Sequence, residues 1–156
     1  DRLRLRIAYF SQISCRQASN MDVHTKTTRS YNMSRIKSRD TKTEIVVRKL
    51  CHNLGLRFRL NQKLSGTRPD LVFKKYRTVI FVNGCFWHQH KGCKRASIPK
   101  SNTDYWIPKL EKNVNRLREN LETLDTMGYR TAVIWECEVN YLENNNELME
   151  IVSGEK

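Results

Sequence analysis

Apolar residues recur along this chain at helical spacing in some stretches and as short continuous runs in others. A first helix is predicted after Thr41, because Thr41 and Glu44 have the spacing of a capping box and apolar residues follow at helical intervals until Gly55. A long amphipathic helix is predicted over residues 104–127, where apolar side chains are three and four residues apart. A short last helix is predicted over residues 145–152.

Short apolar runs predict four strands. They cover residues 56–60, 70–73, 78–82 and 130–135, with a loop over residues 64–68 between the first two. The third run is continuous and β-branched, which is typical of a strand buried at the centre of a sheet. The resulting order α-β-β-β-α-β-α predicts an α/β domain of α/β/α layers.

The chain has 156 residues and a net charge of +13, and this charge is unevenly distributed. Residues 1–103 contain 23 Lys and Arg against five Asp and Glu, whereas residues 104–156 contain six against 11. A strongly basic body favours a polyanion as partner, with nucleic acid first and an acidic membrane surface second. The alternative is a basic surface that binds nothing, which is disfavoured because aromatic side chains and a predicted metal site lie in the basic part.

A chain of this length is expected to form one domain, here residues 21–156. Residues 1–20 contain four arginines around a short apolar patch and lack the features of a signal peptide, so we expect a disordered extension upstream of the native start. No apolar run approaches the ~20 residues of a membrane span. Five cysteines, an odd number, favour a metal site in a reducing compartment over a disulfide framework, and Cys51 is expected to be a buried, inert thiol.

Metal-binding side chains concentrate in residues 84–93, which hold two cysteines, two histidines and an adjacent Phe-Trp pair. A further cysteine, Cys137, follows the last predicted strand. Cysteine and histidine at such short separations, closed by a distant cysteine, are typical of a structural Zn²⁺ site with four tetrahedral ligands. The candidate ligands are Cys85, one of His88 or His90, Cys93 and Cys137.

Acidic residues are rare in the basic part of the chain, and two of them are candidates for a catalytic metal site. Asp70 opens a predicted strand, and a carboxylate among cations on a nucleic-acid surface is suited to holding Mg²⁺. Glu44 is expected to face out of the first turn of its helix. The structural alternatives are a turn aspartate after proline for Asp70 and the capping box for Glu44. The next strand carries no second carboxylate, so either the site is inactive or a backbone carbonyl near Val82 and a nearby histidine replace it.

An ordered set of motifs over about residues 21–139 resembles the very-short-patch repair (Vsr) DNA mismatch endonucleases. The resemblance implies a restriction-endonuclease-like three-layer α/β/α core with a central mixed sheet and a structural zinc site. It also implies a strand-specific nick 5′ to the thymine of T:G mismatches, which arise when 5-methylcytosine deaminates. The motifs are Thr28-Arg29-Ser30 with Asn32-Met33 and Ile36, Arg39-Asp40-Thr41 with Glu44, Arg68-Pro69-Asp70, Gly84-Cys85-Phe86-Trp87-His88 with His90 and Cys93, Pro99-Lys100 with Asn102, Lys112-Asn113, and Trp135-Glu136-Cys137.

The resemblance also assigns roles by position. Asp70 would bind the catalytic Mg²⁺ together with the Val82 carbonyl, and His88 would be the general base, with Glu44 kept as a further catalytic candidate. An unperturbed histidine pKa near ~6.5 would then make activity fall as the pH drops through that region. The remaining roles are zinc ligation by Cys85, His90, Cys93 and Cys137, and a DNA wedge formed by Phe86 and Trp87 from the major groove and by Met33 and Ile36 from the other side.

The resemblance implies that the partner is double-stranded DNA with a T:G mismatch, with mismatch-repair proteins as further partners. The protein is expected to be a monomer in the bacterial cytoplasm, associated with the nucleoid, and not to bind membranes. Two positions depart from relatives: Asn83 stands where some have a second histidine, which puts a proton relay through that site in doubt, and Leu117 stands where some have an aspartate. Two rival hypotheses remain, a zinc-stabilised binder of distorted DNA that does not cut and a restriction nuclease acting on intact duplex. Asp70 together with His88 argues against a pure binder, because such a protein has no reason to keep an acid at the metal position of a basic face.

Overall fold

A computed structural model of the chain describes residues 25–35, 39–142 and 147–154. Among these residues no helix is long and apolar enough to cross a membrane. The expectation of a disordered extension over residues 1–20 lies outside the described residues. The elements are α1 Lys26–Ser34, α2 Lys42–Asn53, β1 Arg59–Leu60, β2 Leu71–Phe73, β3 Thr78–Asn83, α3 Thr103–Thr126, β4 Arg130–Trp135, α4 Val139–Leu142 and α5 Glu147–Ser153.

The four strands form one mixed sheet in the order β1-β2-β3-β4. Strands β1 and β2 pair antiparallel, as do β2 and β3, whereas β3 and β4 run parallel. Every residue of β3 is buried, so the prediction of a buried central strand is confirmed. Because β3 and β4 are parallel neighbours, the loops that follow them leave the sheet at the same edge.

Two apolar clusters use alternate residues of the strands. One contains Leu71 and Ile80 with buried side chains of α2, α4 and α5, and the other contains Val72 and Val79 with buried side chains of α3. Neighbouring residues of a strand point to opposite faces of the sheet, so the two clusters lie on opposite faces of the sheet. Cys51 lies in the first cluster, so its expected burial is confirmed, and burial raises its pKa to about 12.

Most predicted elements form within a residue or two of their expected bounds, and β4 matches its prediction. The first strand is much shorter than residues 56–60, because the Leu56 N–H donates to the Cys51 carbonyl and completes the end of α2. The short helices α1 and α4 were not predicted. Both have fewer than ten residues, too few for a helical apolar pattern to stand out.

Candidate metal sites and catalytic centre

Four sulfur and nitrogen donors meet at the edge of the sheet where β3 and β4 end. Their ligand atoms all lie within 4.8 Å of one another. The Nδ1 atom of His90 is 3.7 Å from the Cys85 sulfur and 3.3 Å from the Cys137 sulfur. The structure thus selects His90 from the two candidate histidines. The group is formed by Cys85, His90, Cys93 and Cys137.

The donor set fits a structural zinc ion. With Zn–S and Zn–N bonds of ~2.3 and ~2.0 Å, a tetrahedral site has ligand-to-ligand separations of about 3.5–3.8 Å. The two donor separations at His90 are close to this range. Burial raises the pKa of Cys85 to about 12, so a thiolate at this position needs a bound cation to stabilise it.

Backbone hydrogen bonds and ring stacking hold the loop that carries three of these ligands. The His90 N–H donates to the Cys85 carbonyl at 3.0 Å, and the Cys93 N–H donates to the His90 carbonyl at 3.2 Å. The His90 ring stacks on Trp135 of β4 with centroids 4.2 Å apart. These contacts fix the His90 ring beside Cys137, which is two residues beyond Trp135.

Asp70 lies at the same edge of the sheet, at the start of β2. Its Oδ2 atom accepts the Val82 N–H at 2.7 Å, and its own N–H donates to the Ile80 carbonyl at 3.1 Å. In an extended strand the N–H and C=O of one residue point the same way, so the Val82 carbonyl also lies on the Asp70 side of β3. Two oxygen donors of the kind that Mg²⁺ prefers are therefore brought together.

Burial raises the pKa of Asp70 to about 6. The hydrogen bond from Val82 opposes this increase, the charge of Glu44 adds to it, and the charge of Arg48 lowers the pKa. Asp70 is therefore mostly ionised at neutral pH and becomes protonated as the pH falls through about 6. A cation held by this carboxylate competes directly with that proton.

Glu44 does not face outward as the sequence predicted, because only 4% of its surface is exposed. Its carboxylate accepts the Asp40 N–H at 3.1 Å, the Thr41 hydroxyl at 2.9 Å and the Arg48 guanidinium at 2.9 Å. The Thr41 hydroxyl also accepts the Glu44 N–H, which completes the predicted capping box. The carboxylate thus anchors the start of α2, and it influences Asp70 through its charge.

His88 is partly buried between the metal-site loop and α3. Its Nδ1 atom is inaccessible and has no hydrogen-bond partner among the described residues. Burial lowers the pKa of His88 to about 4, and the charge of Arg116 lowers it further, against the opposing effect of the Asn113 backbone. The expected pKa near 6.5 is therefore corrected, and His88 is neutral throughout the physiological range.

The two departures from relatives occupy different environments. Asn83 is buried at the end of β3, and its Nδ2 atom lacks a hydrogen-bond partner within the part of the chain that the structure describes. Leu117 packs against the apolar cluster under α3. Neither side chain titrates, so neither can take part in proton transfer at neutral pH.

Phe86 and Trp87 belong to a cluster of four aromatic side chains. Their ring centroids are 5.0 Å apart, and Trp106 of α3 lies 5.4 Å from Phe86 and 6.0 Å from Trp87. Tyr105 packs edge-on against Trp106 at 5.1 Å and is exposed. Sequence reasoning assigned Trp106 to the apolar face of a helix, because nothing in helical spacing shows that this residue meets a loop 19 positions earlier.

The aromatic pair is held close to the sheet edge. A Cβ atom at Gly84 would lie 3.3 Å from the Trp87 ring, so a residue without a side chain permits this close approach. The Asn113 side chain donates to the Trp87 carbonyl at 3.3 Å, and the Gln89 side chain donates to the Phe86 carbonyl at 2.7 Å. Of the other predicted wedge residues, Met33 is partly buried on α1, and Ile36 lies outside the described residues.

Comparison with known proteins identifies the family. Residues 21–95 match the family model described as DNA mismatch endonuclease Vsr. The type II nicking enzyme V.NmeAIP of Neisseria meningitidis is 44% identical over 118 residues, which cover 76% of this chain and 84% of that protein. The DNA mismatch endonuclease Vsr of Escherichia coli is 43% identical over 116 residues, 74% of each chain. Among solved structures, the catalytic domain of the homing endonuclease I-Bth0305I matches 72% of this chain and 94% of its own, with a TM-score of 0.49 and 18% identity. The chain belongs to the Vsr family of DNA mismatch endonucleases.

Proposed function

We propose that this protein is a Mg²⁺-dependent endonuclease that nicks one strand of duplex DNA 5′ to the thymine of a T:G mismatch. The fold proposed for it is the three-layer, restriction-endonuclease-like α/β/α core. The observation that carries the proposal is the hydrogen bond from the Val82 backbone to the Asp70 carboxylate, in a strongly basic chain. Family membership supports DNA as the substrate.

Each metal has a distinct set of donors in this proposal. Asp70 and the Val82 carbonyl would hold Mg²⁺, and waters and a DNA phosphate would complete its oxygen ligands. When bound there, Mg²⁺ supplies Lewis-acid stabilisation of the scissile phosphate and makes a bound water more acidic. The sulfur and nitrogen donors suit zinc, which would join the loop after β3 to the turn after β4.

His88 is proposed as the general base. A neutral imidazole accepts a proton from the attacking water, and its low pKa keeps it in that form at every pH where Asp70 is ionised. Arg116 is near enough to His88 for its charge to lower the pKa of His88, and this positive charge would stabilise a phosphate bound beside His88. In this proposal, His88 would supply proton transfer and Arg116 would supply charge stabilisation.

The aromatic cluster is proposed as the wedge that selects mismatches. Unstacking a base step costs a few kcal/mol, and the cost is smallest at a mismatched pair. Phe86 and Trp87 are only partly buried, and they lie on a loop fixed by the proposed zinc site and braced by Trp106. A wedge that is rigid before binding loses little conformational freedom on insertion, so the difference in unstacking cost becomes a difference in affinity.

Replacing the Trp87 ring is expected to weaken binding to a T:G duplex by about tenfold, because stacking of an aromatic side chain on a base contributes ~1–3 kcal/mol. The measurement is the fluorescence of 2-aminopurine placed beside the mismatch, which rises when the base unstacks. Trp87→Ala should reduce both the affinity and this rise. Tyr141→Ala, at an exposed tyrosine on α4, is the matched control. An unchanged fluorescence rise with Trp87→Ala would show that the ring does not enter the stack.

The reaction itself is tested on duplexes labelled on each strand that carry T:G, U:G, A:C or a matched pair. Incubation with Mg²⁺ should give one nick, 5′ to the mismatched thymine, and EDTA should abolish it. Binding of the T:G duplex without any nick would favour the rival hypothesis of a zinc-stabilised binder. Cleavage of the matched duplex at a similar rate would favour a restriction nuclease on intact DNA.

The pH dependence follows from the two pKa values. Asp70 must be ionised to hold Mg²⁺, so at limiting Mg²⁺ the nicking rate should fall as the pH drops through about 6. Raising the Mg²⁺ concentration should move this midpoint to lower pH, because the cation competes with the proton. His88 stays neutral down to about pH 4 and should not contribute above it. If the nicking rate instead had a midpoint near pH ~6.5 that did not respond to Mg²⁺, both the role of Asp70 in holding Mg²⁺ and the low pKa of His88 would be contradicted.

A further inference from the structure

A basic cleft lies along β1, the outer strand of the sheet. Its lining does not include the proposed catalytic residues. Its volume is about 650 Å³, and its lining includes the four cationic residues Arg57, Arg59, Lys74 and Lys75. All four are exposed, and no acidic residue lines the cleft. Within the ranges that the structure describes, no salt bridge involves any of the four. We use the name basic cleft for this surface.

The basic cleft begins beside the proposed cleavage site. Leu60, which lines the cleft, is paired with Leu71, and the next residue, Asn61, donates its N–H to the Asp70 carbonyl at 3.2 Å. Lys74 is four residues beyond Asp70 along the adjacent strand and turn. At ~3.3 Å per residue, the cleft therefore extends roughly 13 Å away from Asp70.

This length and charge fit the phosphate backbone of one DNA strand. Phosphates of one strand are ~3.4 Å apart along the duplex axis and farther apart along the strand itself, so a cleft of roughly 13 Å spans at most about four of them. An acidic protein segment would satisfy the same charges, but nothing in that alternative accounts for the start of the cleft beside Asp70. A strand whose scissile phosphate lies at Asp70 has further phosphates at this distance on each side.

We propose that the basic cleft binds the phosphates within about four nucleotides of the nick, on one side of it, and thereby holds the cut strand in register with Asp70. The inference rests on the proposed function, because it takes Asp70 as the position of the scissile phosphate. It adds a positioning surface that is separate from the aromatic wedge. Contacts of this kind contribute affinity and salt dependence rather than sequence preference.

The test combines variants with neutralised phosphates. The double variants Arg57→Ala/Arg59→Ala and Lys74→Ala/Lys75→Ala each remove two charges from the cleft. The control is Lys49→Ala/Arg118→Ala, which removes two exposed charges from α2 and α3. Binding is measured in EDTA on T:G duplexes of about 20 base pairs, in which runs of three phosphates are replaced by methylphosphonates at successive positions.

One methylphosphonate run should weaken binding of the unmodified protein about tenfold and leave binding of a cleft variant unaffected. The reason is that the substitution and the neutral phosphates remove the two partners of the same ionic contact. Each cleft variant should also lower the slope of log affinity against log salt by about 1.8, which corresponds to two phosphates. If every run weakens all proteins equally, and the slopes of cleft and control variants match, no phosphate binds in the cleft and the proposal is wrong.

The result can be separated from the proposed function. A protein that nicks no duplex but shows the coupling between cleft and phosphates would refute the nuclease and retain the cleft as a DNA-binding surface. A protein that nicks the T:G duplex but shows no coupling between cleft variants and methylphosphonates would retain the nuclease and refute the cleft as a phosphate-binding surface. Because all four cationic residues are exposed, the variants should unfold at the same temperature as the unmodified protein, and this should be measured alongside.

Discussion

Asp70→Ala is expected to abolish nicking while the protein still binds a T:G duplex at least as tightly as before. The variant removes the carboxylate that would hold Mg²⁺, and metal-based stabilisation of several kcal/mol corresponds to a loss of about 10³-fold or more in rate. Binding should not weaken, because in the absence of the metal a carboxylate repels the DNA phosphate. The measurement is the single-turnover nicking rate with Mg²⁺, set against the dissociation constant in EDTA.

Asp70→Asn provides the sharper comparison. Its side-chain oxygen can still accept the Val82 N–H, so the geometry of the sheet edge is kept while the charge is lost. It should be as inactive as the alanine variant. Asp104→Asn, at an exposed acid in the first turn of α3, should nick normally. If Asp70→Asn nicks at a rate near that of the unmodified protein, the assignment of the metal site is wrong.

The fold was predictable where the periodicity of apolar residues was long or continuous. The buried run of β3 and the 24 residues of α3 carry strong signals, because their packing repeats over several turns or over both faces of the sheet. β1 is harder to predict, since only two residues pair and both are exposed. Its apolar neighbour Leu56 is buried as part of the helix end instead.

The proposed zinc site was predictable because its ligand types are distinctive and three of them lie within nine residues. The spacing of the ligands left His88 and His90 open and the resemblance assigned His90, whose ring the loop turns towards Cys137. The environment of Glu44 also depends on tertiary structure. A capping-box glutamate is commonly solvated, but Arg48 and the Asp40 backbone enclose this one.

The pKa values of the catalytic candidates could not be obtained from sequence for a related reason. Burial is the largest cause of the shift for both Asp70 and His88, and it acts in opposite directions on an acid and a base. The same sheet edge therefore raises one pKa to about 6 and lowers the other to about 4. Sequence spacing does not show that Asp70 is buried near α2 and β3, or that His88 is buried near α3.

The second large effect is expected from His90→Ala, which should lose both zinc and the folded state. Structural zinc contributes about 10–16 kcal/mol of apparent binding free energy in small zinc domains, which is comparable to the ~5–15 kcal/mol stability of a whole protein. Even a loss of ~5 kcal/mol would lower the unfolding temperature by roughly 10–20 °C for a chain of this size. The measurements are zinc content by elemental analysis and the thermal unfolding temperature. The unmodified protein should contain one zinc per chain, and Cys137→Ala should resemble His90→Ala.

His88 offers a control two residues away in the same loop. His88→Gln keeps a polar side chain of similar size, so zinc content and unfolding temperature should stay close to those of the unmodified protein. Its nicking rate should nevertheless fall by about 10²–10⁴-fold, the usual contribution of a general base, with DNA affinity unchanged. If His88→Gln loses zinc while His90→Ala stays folded and only slow, the two roles are exchanged. If both variants keep zinc and full activity, the loop after β3 provides neither the metal ligand nor the base, and Asp70 alone would support the nuclease hypothesis.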